Sequence, residues 1–175
     1  MFKLINTAFV TLFGIGKLPK IPGSYASLVT VIFLYFLFHF LYVESEIFLF
    51  FLIGIFIISL FAVKSYIKDK ENKDPKEVVI DEFIGQSIPI CLYEIAHNNQ
   101  TNQSKILTYY FIIFILFRIF DIIKPYPISY YDKNFKNSVG VMMDDICAGL
   151  YVVAILFLYM IVTTLKNYLQ VLLKH

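Results

Sequence analysis

The stretch IFLFFLIGIFIISLFAV (residues 47–63) contains no charged residue and is long enough to cross about 30 Å of hydrocarbon as a helix. A second uncharged stretch of this kind is ASLVTVIFLYFLFHFLYV (residues 26–43). Of the 175 residues, 59% are hydrophobic and the mean hydropathy is +0.72, which is too apolar for an ordinary soluble domain. The sequence therefore predicts an all-α, polytopic membrane protein.

Three further segments are candidates for membrane helices. Residues 106–123 and 146–165 match the first two in length, but charges intrude at the end of the former and just before the latter. Residues 78–96 are less apolar, because they include three acidic residues and a proline, so they form either a membrane span or a re-entrant helix. We predict a helical bundle with about four to five membrane segments, in a single domain over residues 1–175.

The first 17 residues, MFKLINTAFVTLFGIGK, predict an N-terminal interfacial helix. Lys3 precedes an apolar stretch, as in a signal peptide, but no small-residue cleavage site follows it. Apolar side chains recur at helical spacing with polar ones between them, which is typical of a helix that lies in the membrane interface. The polar run HNNQTNQSK (residues 97–105) is predicted to be a loop.

Lysines in the short loops indicate the orientation of the chain in the membrane. The segment before the first span and the loop after the second are rich in lysine, whereas the loop between these spans holds only Glu44 and Glu46 as charged residues. We therefore expect the amino terminus in the cytoplasm. If residues 78–96 cross the membrane, the lysine-bearing loop after residues 106–123 is cytoplasmic as well, which makes five crossings the better count.

The overall charge and the cysteines exclude two further classes of function. Fifteen basic and 13 acidic residues leave a formal net charge of +2, without the basic excess that indicates nucleic-acid binding. Cys91 and Cys147 lie in apolar segments and match no metal or redox spacing. We interpret both as small buried hydrophobic residues.

Four polar stretches fall on the same cytoplasmic side in this topology. In the stretch 117–127, Arg118 and Asp121 are i,i+3 neighbours on one helical face, and Lys124 follows three residues later. In the stretches 80–86 and 139–149, Asp81 and Asp145 each precede a glycine by four residues, and small residues let neighbouring helices approach closely. The stretches are LPKIPGSYASL (18–28), IDEFIGQ (80–86), FRIFDIIKPYP (117–127) and VGVMMDDICAG (139–149).

The residue types in these stretches favour phosphate chemistry at a metal. Clustered carboxylates repel one another unless a cation bridges them, and hard oxygen ligands favour Mg²⁺, Mn²⁺ or Ca²⁺. Arg118 and Lys124 supply the positive charge that an anionic substrate needs. A tight loop in the first stretch adds hydroxyl groups and backbone amides that could also hold phosphate. The carboxylates are Asp81, Glu82, Asp121, Asp144 and Asp145, and the loop contributes Gly23, Ser24 and Ser27.

Each of these features also has a purely structural interpretation. Arg118 with Asp121 could be an ion pair, and Asp144 with Asp145 could begin a helix, where the helix dipole favours acidic residues. Lys124 could simply extend its ammonium group to the membrane boundary. A different class of protein, a cation transporter, uses intramembrane carboxylates along an ion pathway, with the carboxylates near the middle of the membrane.

Several phosphoryl-transfer chemistries lack their motifs here. The sequence has no D-x-D-x-[TV] nucleophile motif, no Cys-x5-Arg loop and no histidine near any of the four stretches. A phosphatidyltransferase would need a D-G-x-x-A-R type signature, which is also absent. A metal-activated water positioned by a carboxylate therefore remains for hydrolysis.

The four stretches also match, in order, the motifs of a known family. Residues 19–24 resemble its P-x-x-P-G-[ST] motif, and residues 81–85 match D-E-x-x-G. Residues 117–127 match F-R-x-F-D-x-x-K-P-x-P, and residues 140–149 resemble G-I-M-x-D-D-x-x-A-G. Nearly the whole chain therefore resembles the phosphatidylglycerophosphatase A family of small membrane lipid phosphatases. The departures, which affect backbone fit rather than charge, are Ile21, Ala26 and Asn137-Ser138, where the family has Ala, Gly and Gly-Gly.

This resemblance implies an activity, a cofactor and a location. The expected reaction is Mg²⁺-dependent removal of the terminal phosphate of phosphatidylglycerophosphate, which gives phosphatidylglycerol. The expected enzyme is a multi-pass protein of the bacterial inner membrane, with its active site facing the cytoplasm and no oligomeric state predicted. Asp81, Glu82, Asp144 and Asp145 are expected to bind Mg²⁺, and Asp121 to orient the water or complete the metal shell. Arg118 and Lys124 are expected to neutralise the phosphoryl oxygens. The expected substrate-binding residues are Gly23, Ser24 and Ser27.

Overall fold

A computed structural model describes residues 2–97 and 103–173, and every regular element in these two ranges is helical. The α-helices are numbered in chain order, and one 3₁₀ turn, Ile15–Lys17, follows the first of them. The helices are α1 (Phe2–Val10), α2 (Pro22–His39), α3 (Ser45–Ile67), α4 (Ile80–His97), α5 (Gln103–Ile123), α6 (Ile128–Asn134) and α7 (Ser138–Leu172). The predicted all-α fold is confirmed.

Four helices of the described ranges are long and apolar enough to cross a membrane. Their large apolar side chains also point outward, as Phe50, Phe51 and Phe61 of α3 do with exposed fractions of 76, 67 and 70%. Apolar surface on this scale is the surface that lipid covers in a helical membrane bundle. The predicted polytopic membrane protein is therefore confirmed, with the candidate spans Pro22–His39, Ser45–Ile67, Ser104–Ile123 and Ser138–Val171.

The fifth long helix, α4, is a complete helix that runs beside α2. Its 18 residues make a helix about 27 Å long. Near its start, Glu82 lies against Gly23 in the first turn of α2, and near its end Glu94 lies 3.3 Å from His39 in the last turn of α2. Helix α4 therefore runs the full length of the apolar helix α2, but it is not one of the four candidate spans of the described ranges. The five-crossing count stays a prediction.

Two helices begin earlier than the hydrophobic pattern predicts. Helix α2 starts at Pro22, four residues before the predicted start at 26, because proline is favoured in the first helical turn. Helix α7 starts at Ser138 rather than 146, because the side chain of Asn137 accepts hydrogen bonds from the backbone N–H groups of Val139 and Gly140, each at 3.0 Å. The predicted loop 97–105 is shorter, since α4 ends at His97 and α5 begins at Gln103, and residues 98–102 lie outside the described ranges.

The short helix α1 is amphipathic in the sense expected of a helix against lipid. Its apolar residues Phe2, Leu4 and Ile5 point outward, with exposed fractions between 61 and 78%. On its inner side the Asn6 amide donates a hydrogen bond to the carbonyl of Ala62 in α3, at 3.1 Å. The predicted N-terminal helix is present, and it contacts the rest of the protein through Asn6, Phe9 and Val10.

Helix α4 lies at the centre of the bundle and makes its most extensive contact with α7. The closest approach of these two helices is at Gly85 and Gly149. A Cβ atom at Gly85 would lie 2.5 Å from the carbonyl oxygen of Asp145, and one at Gly149 would run into the carbonyl of Gly85. Only glycine therefore lets the two backbones touch, as the spacing of Asp81 and Asp145 from these glycines predicts.

Candidate active site

Three carboxylates meet where α4 and α7 are closest. Oxygen atoms of Asp81, Glu82 and Asp145 all lie within 4.8 Å of one another. The side chains of Asp81 and Asp145 are almost fully buried. Two of these residues stand in the first turn of α4 and the third in the second turn of α7, so the glycine contact between the helices brings them together. Three carboxylates with so little access to water repel one another when ionised, and either a bound cation or protonation relieves that repulsion.

The free atoms of this cluster fit a divalent metal. Within the described ranges, Oε2 of Glu82 and Oδ1 of Asp145 are buried and have no hydrogen-bond partner. A buried polar atom without a partner is rare and points to an ion, a ligand or water. Carboxylate oxygens are the ligands that Mg²⁺ prefers, at about 2.1 Å, which places opposite ligands about 4.2 Å apart. The donor type and spacing in this cluster therefore suit Mg²⁺.

Arg118 borders the carboxylate cluster on the side of α2. Its Nη1 donates to Oδ2 of Asp121 at 2.7 Å and to the hydroxyl of Ser27 at 3.3 Å. Gly23 fits between Arg118 and Glu82, because a Cβ atom there would meet the Glu82 carboxylate and come within 3.3 Å of Nη1. The buried Nε of Arg118 has no partner among the described residues. The Nε–H donor of this guanidinium is thus unpaired in the described structure.

Lys124 lies just beyond the end of α5 and pairs with Asp144, the residue next to Asp145. Its ammonium donates to Oδ2 of Asp144 at 2.8 Å and to Oδ1 of Asp132 at 2.5 Å. Partial burial lowers the pKa of Lys124, but these two hydrogen bonds outweigh the burial, so the pKa is raised above its ordinary value. Lys124 therefore stays protonated at any physiological pH.

The first turn of α2 replaces the predicted phosphate loop. Gly23, Ser24 and Ser27 are helical residues, and Ile21, the residue before the helix, offers no side-chain cap. Ser27 is buried against Arg118, whereas Ser24 is half-buried. The backbone N–H groups of Gly23 and Ser24 belong to the uncapped helix terminus, and this terminus carries a partial positive charge. The expectation of a loop is wrong, but the backbone amides remain at the site.

All ten predicted site residues lie at this end of the bundle. Asp144 pairs with Lys124 and is not a member of the three-carboxylate cluster, and Asp121 pairs with Arg118. The interpretation of Asp144 and Asp145 as a helix start is wrong, because α7 begins six residues earlier and its first turn has no acidic residue. The ten residues are Gly23, Ser24, Ser27, Asp81, Glu82, Arg118, Asp121, Lys124, Asp144 and Asp145.

Two residues at this end were missed by the motif analysis. Asp132 lies on the short helix α6, and no pattern in the sequence indicates that α6 folds back onto Lys124. Gln86 follows Glu82 by one helical turn and is fully buried, and neither of its amide atoms has a partner in the described part of the chain. The signal for Gln86 was the position of a glutamine one helical turn after Glu82, within one of the four polar stretches.

A helical membrane bundle with clustered carboxylates flanked by Arg and Lys defines a membrane protein equipped to bind a phosphorylated ligand. The family model described as Phosphatidylglycerophosphatase A matches residues 8–160. The protein of Haemophilus influenzae named Phosphatidylglycerophosphatase A is 33% identical over 145 residues, which cover 83% of this chain and 82% of the relative. The protein of the same name in Escherichia coli K12 is 32% identical over 146 residues, which cover 83% of this chain and 77% of the relative. The chain belongs to the phosphatidylglycerophosphatase A family.

A third relative carries a different name. The protein of Bacteroides thetaiotaomicron is 36% identical over 156 residues, with 85% of this chain and 86% of the relative covered, and is named as a candidate phosphatidylinositol-3-phosphatase. No solved structure matches the chain. The family identifies the chain as a membrane phosphatase that hydrolyses phosphate monoesters, and the relatives are bacterial. The names of these relatives give no support to the cation-transporter alternative.

Proposed function

We propose that this enzyme removes the terminal phosphate of phosphatidylglycerophosphate, with Mg²⁺, at the cytoplasmic face of the bacterial inner membrane. The observation that carries the proposal is the cluster of Asp81, Glu82 and Asp145 with unpartnered oxygens, next to Arg118. Two relatives are named for this lipid, and this chain matches more than three quarters of the length of each.

The carboxylate cluster is the proposed metal site. Asp81, Glu82 and Asp145 would hold Mg²⁺ directly, and Asp144 stands beside them with its carboxylate already engaged by Lys124. When bound, Mg²⁺ supplies positive charge to the phosphoryl oxygens and makes water a better nucleophile at neutral pH. The burial of these carboxylates supports this role, because a bound cation would relieve their mutual repulsion and occupy their free oxygens.

The cationic groups around the cluster are the proposed phosphate site. Arg118 presents a free Nε and a fixed guanidinium plane, which suits the phosphoryl oxygens. The uncapped N–H groups at the start of α2 add donors on the same side. Asp121 holds Arg118 in place at 2.7 Å, and its carboxylate is the proposed acceptor for a proton of the attacking water.

The Bacteroides relative suggests a second substrate, phosphatidylinositol 3-phosphate. Both lipids carry a phosphate monoester on a glycerophospholipid headgroup, so the same carboxylates and cations serve either one. The proposal commits to phosphatidylglycerophosphate because its headgroup is named for two relatives and the inositol headgroup for one.

The test is phosphate release by the purified enzyme in detergent micelles that contain either lipid. We expect release from phosphatidylglycerophosphate in Mg²⁺, loss to background in EDTA and recovery when Mg²⁺ is restored. Arg118→Gln should lower kcat/KM by about a hundredfold or more, as loss of one oxyanion donor does. Lys133→Gln, an exposed charge change on α6, serves as the control and should leave it unchanged. Full activity in EDTA excludes the metal role, and faster release from the inositol lipid excludes the proposed substrate.

Cysteine labelling tests the proposed sidedness. In a background without Cys91 and Cys147, single cysteines at Lys73 and Lys133 should resist an impermeant thiol reagent in intact cells, whereas one at Glu44 should react. These positions lie in the loop after α3, on α6 and before α3. Labelling at Lys73 and Lys133 with protection at Glu44 would place the carboxylate cluster on the outer side of the membrane.

A further inference from the structure

Lys124 is held in a backbone conformation that side chains rarely adopt. Its φ is +48°, which is the left-handed region, and its N–H donates to the carbonyl of Phe120 at 2.8 Å as α5 ends. Glycine usually occupies this position at a helix end. A lysine kept there indicates that the surrounding contacts hold its side chain in a required place.

The contacts that hold Lys124 come from two other helices. Asp132 is on α6 and Asp144 is on α7, and their hydrogen bonds to the ammonium measure 2.5 and 2.8 Å. An ammonium group has three donors, so two carboxylates on different helices leave one donor free. A single carboxylate restricts only one direction of a flexible four-carbon side chain, whereas two from different helices define its position.

We propose that Asp132 is a positioning residue that keeps the Lys124 ammonium at the edge of the carboxylate cluster, ready for a phosphate oxygen. The inference rests on the proposed phosphatase function and extends it to α6, a helix outside the family motifs quoted above. In this arrangement Lys124 contacts Asp144, which is next to Asp145 on α7, and also Asp132 on α6.

A purely structural role for Asp132 is a weaker explanation. The side chains of Asp132 and Lys124 are 30 and 26% exposed, and ion pairs with such access to water contribute about 0–1 kcal/mol to stability. Helix α6 also has other attachments. Ile128 is fully buried, and the hydroxyl of Tyr151 on α7 donates to the carbonyl of Tyr126 at 2.5 Å. The packing of α6 therefore does not depend on Asp132.

The test is a double-mutant cycle between Asp132 and Lys124. Steady-state phosphate release is measured for the parent, Asp132→Asn, Lys124→Gln and the double variant. Asp132→Asn should lower kcat by about tenfold with KM changed less than about threefold. If Asp132 acts through Lys124, the double variant should be no slower than Lys124→Gln alone. Where turnover is too slow to measure, the rise in melting temperature that inorganic phosphate causes is compared among the same four proteins.

Two further variants separate positioning from general effects. Asp132→Glu keeps the carboxylate and should recover most of the lost kcat. Asp74→Asn is the matched control, because Asp74 lines the same cleft as Asp132 and Asp144, and the hydrogen bonds of Lys124 among the described residues go to Asp132 and Asp144. It removes the same charge from the same region and should change kcat by less than about twofold.

Three results would overturn the proposal. The first is a double variant whose loss is the product of the two single losses, since Asp132 then acts independently of Lys124. The second is an equal loss in Asp74→Asn, which indicates a general electrostatic effect. The third is a drop in melting temperature of Asp132→Asn that accounts for its lost activity. A parent that releases no phosphate in Mg²⁺ contradicts the proposed function instead.

Discussion

The two ends of α4 bury carboxylates in opposite circumstances. At the far end, Oε1 of Glu94 accepts a hydrogen bond from the hydroxyl of Tyr110 at 2.9 Å and lies 3.3 Å from Nε2 of His39. At the site end, Asp81 and Glu82 face Asp145, with free carboxylate oxygens on Glu82 and Asp145 in the described structure. One helix thus carries a carboxylate that lies beside a tyrosine and a histidine, and a pair of carboxylates that faces a third one.

The difference shows how a buried carboxylate indicates its role. Glu94 joins α2, α4 and α5, and the aromatic ring of Tyr35 packs at centroid distances of 4.8 Å from His39 and 5.7 Å from Tyr110. A polar network that links three helices in this way favours one arrangement of the bundle. The three carboxylates at the other end destabilise the protein without a ligand, and proteins keep such groups where they bind something. The first end links three helices, and the second has the free carboxylate oxygens that the proposed cation would bind.

The largest expected effect is that of Asp145→Asn at the site end. The change keeps the shape and removes one of three clustered charges, so turnover should fall by at least about a hundredfold, or about 2.7 kcal/mol of transition-state stabilisation. Melting in EDTA should occur at the parent temperature or above, because repulsion among the carboxylates is reduced. Mg²⁺ should raise the melting temperature less than it does in the parent.

The measurement is thermal melting in detergent with EDTA or Mg²⁺, together with steady-state phosphate release. An active Asn variant that melts well below the parent in EDTA would make Asp145 a structural residue like Glu94, and the distinction between the two ends of α4 would be lost.

The next effect concerns the helix contact that assembles the cluster. Gly85→Ala places a Cβ atom 2.5 Å from the carbonyl oxygen of Asp145 and 2.9 Å from a ring carbon of Phe117. Because a backbone carbonyl cannot move aside alone, the variant should lose about 1–3 kcal/mol of stability and most of its activity. Gly54→Ala on α3 is the control, since a Cβ atom there meets nothing within 4 Å. Equal melting temperatures for the two variants would show that close approach at Gly85 is unnecessary.

A smaller effect is expected at the far end of α4. Glu94→Ala leaves the Tyr110 hydroxyl without its carboxylate partner, which should destabilise the protein by about 1–3 kcal/mol. The Mg²⁺-induced rise in melting temperature and the kcat of the remaining folded enzyme should stay within about twofold of the parent. Glu44→Ala is the control, because Glu44 is exposed and lines a cleft that Glu94 also lines. A variant with parental melting but weakened response to Mg²⁺ would place Glu94 in the catalytic machinery.

The smallest effect is predicted for Gln86→Met. The substitution has a similar volume and removes a fully buried amide that lacks a partner among the described residues. The variant should melt in EDTA slightly above the parent, by about 1 kcal/mol or less. Lower melting, measured by the same thermal assay, would mean that the Gln86 amide is hydrogen-bonded in solution.

Much of this protein was predictable because lipid imposes simple rules on sequence. The uncharged stretches of α2 and α3 indicated membrane helices, and polar residues at the helix ends indicated the four site stretches. The helix boundaries were less accurate, because Pro22 and Asn137 start helices before the hydrophobic pattern begins. Local capping chemistry extends a helix into polar sequence that hydropathy alone assigns to a loop.

The pairing of charges within the site was the main uncertainty. Five carboxylates and two cations were expected near one another, and the sequence did not indicate that Asp144 pairs with Lys124 while Asp145 joins Asp81 and Glu82. Adjacent residues on a helix are rotated by about 100°, so Asp144 and Asp145 face different neighbours. Which neighbour each one meets depends on how α5, α6 and α4 pack around α7.

The sequence by itself determined the helical class, the membrane segments and the residue types that gather at one end of the bundle. These properties follow from local hydrophobicity and from motifs within single helices. The tertiary structure alone decided that Glu94 has partners whereas Glu82 and Asp145 keep free oxygens, and that Asp132 reaches Lys124. The physical reason is that hydrogen bonds and ion pairs act over a few ångströms, and only the packing of distant segments sets those distances.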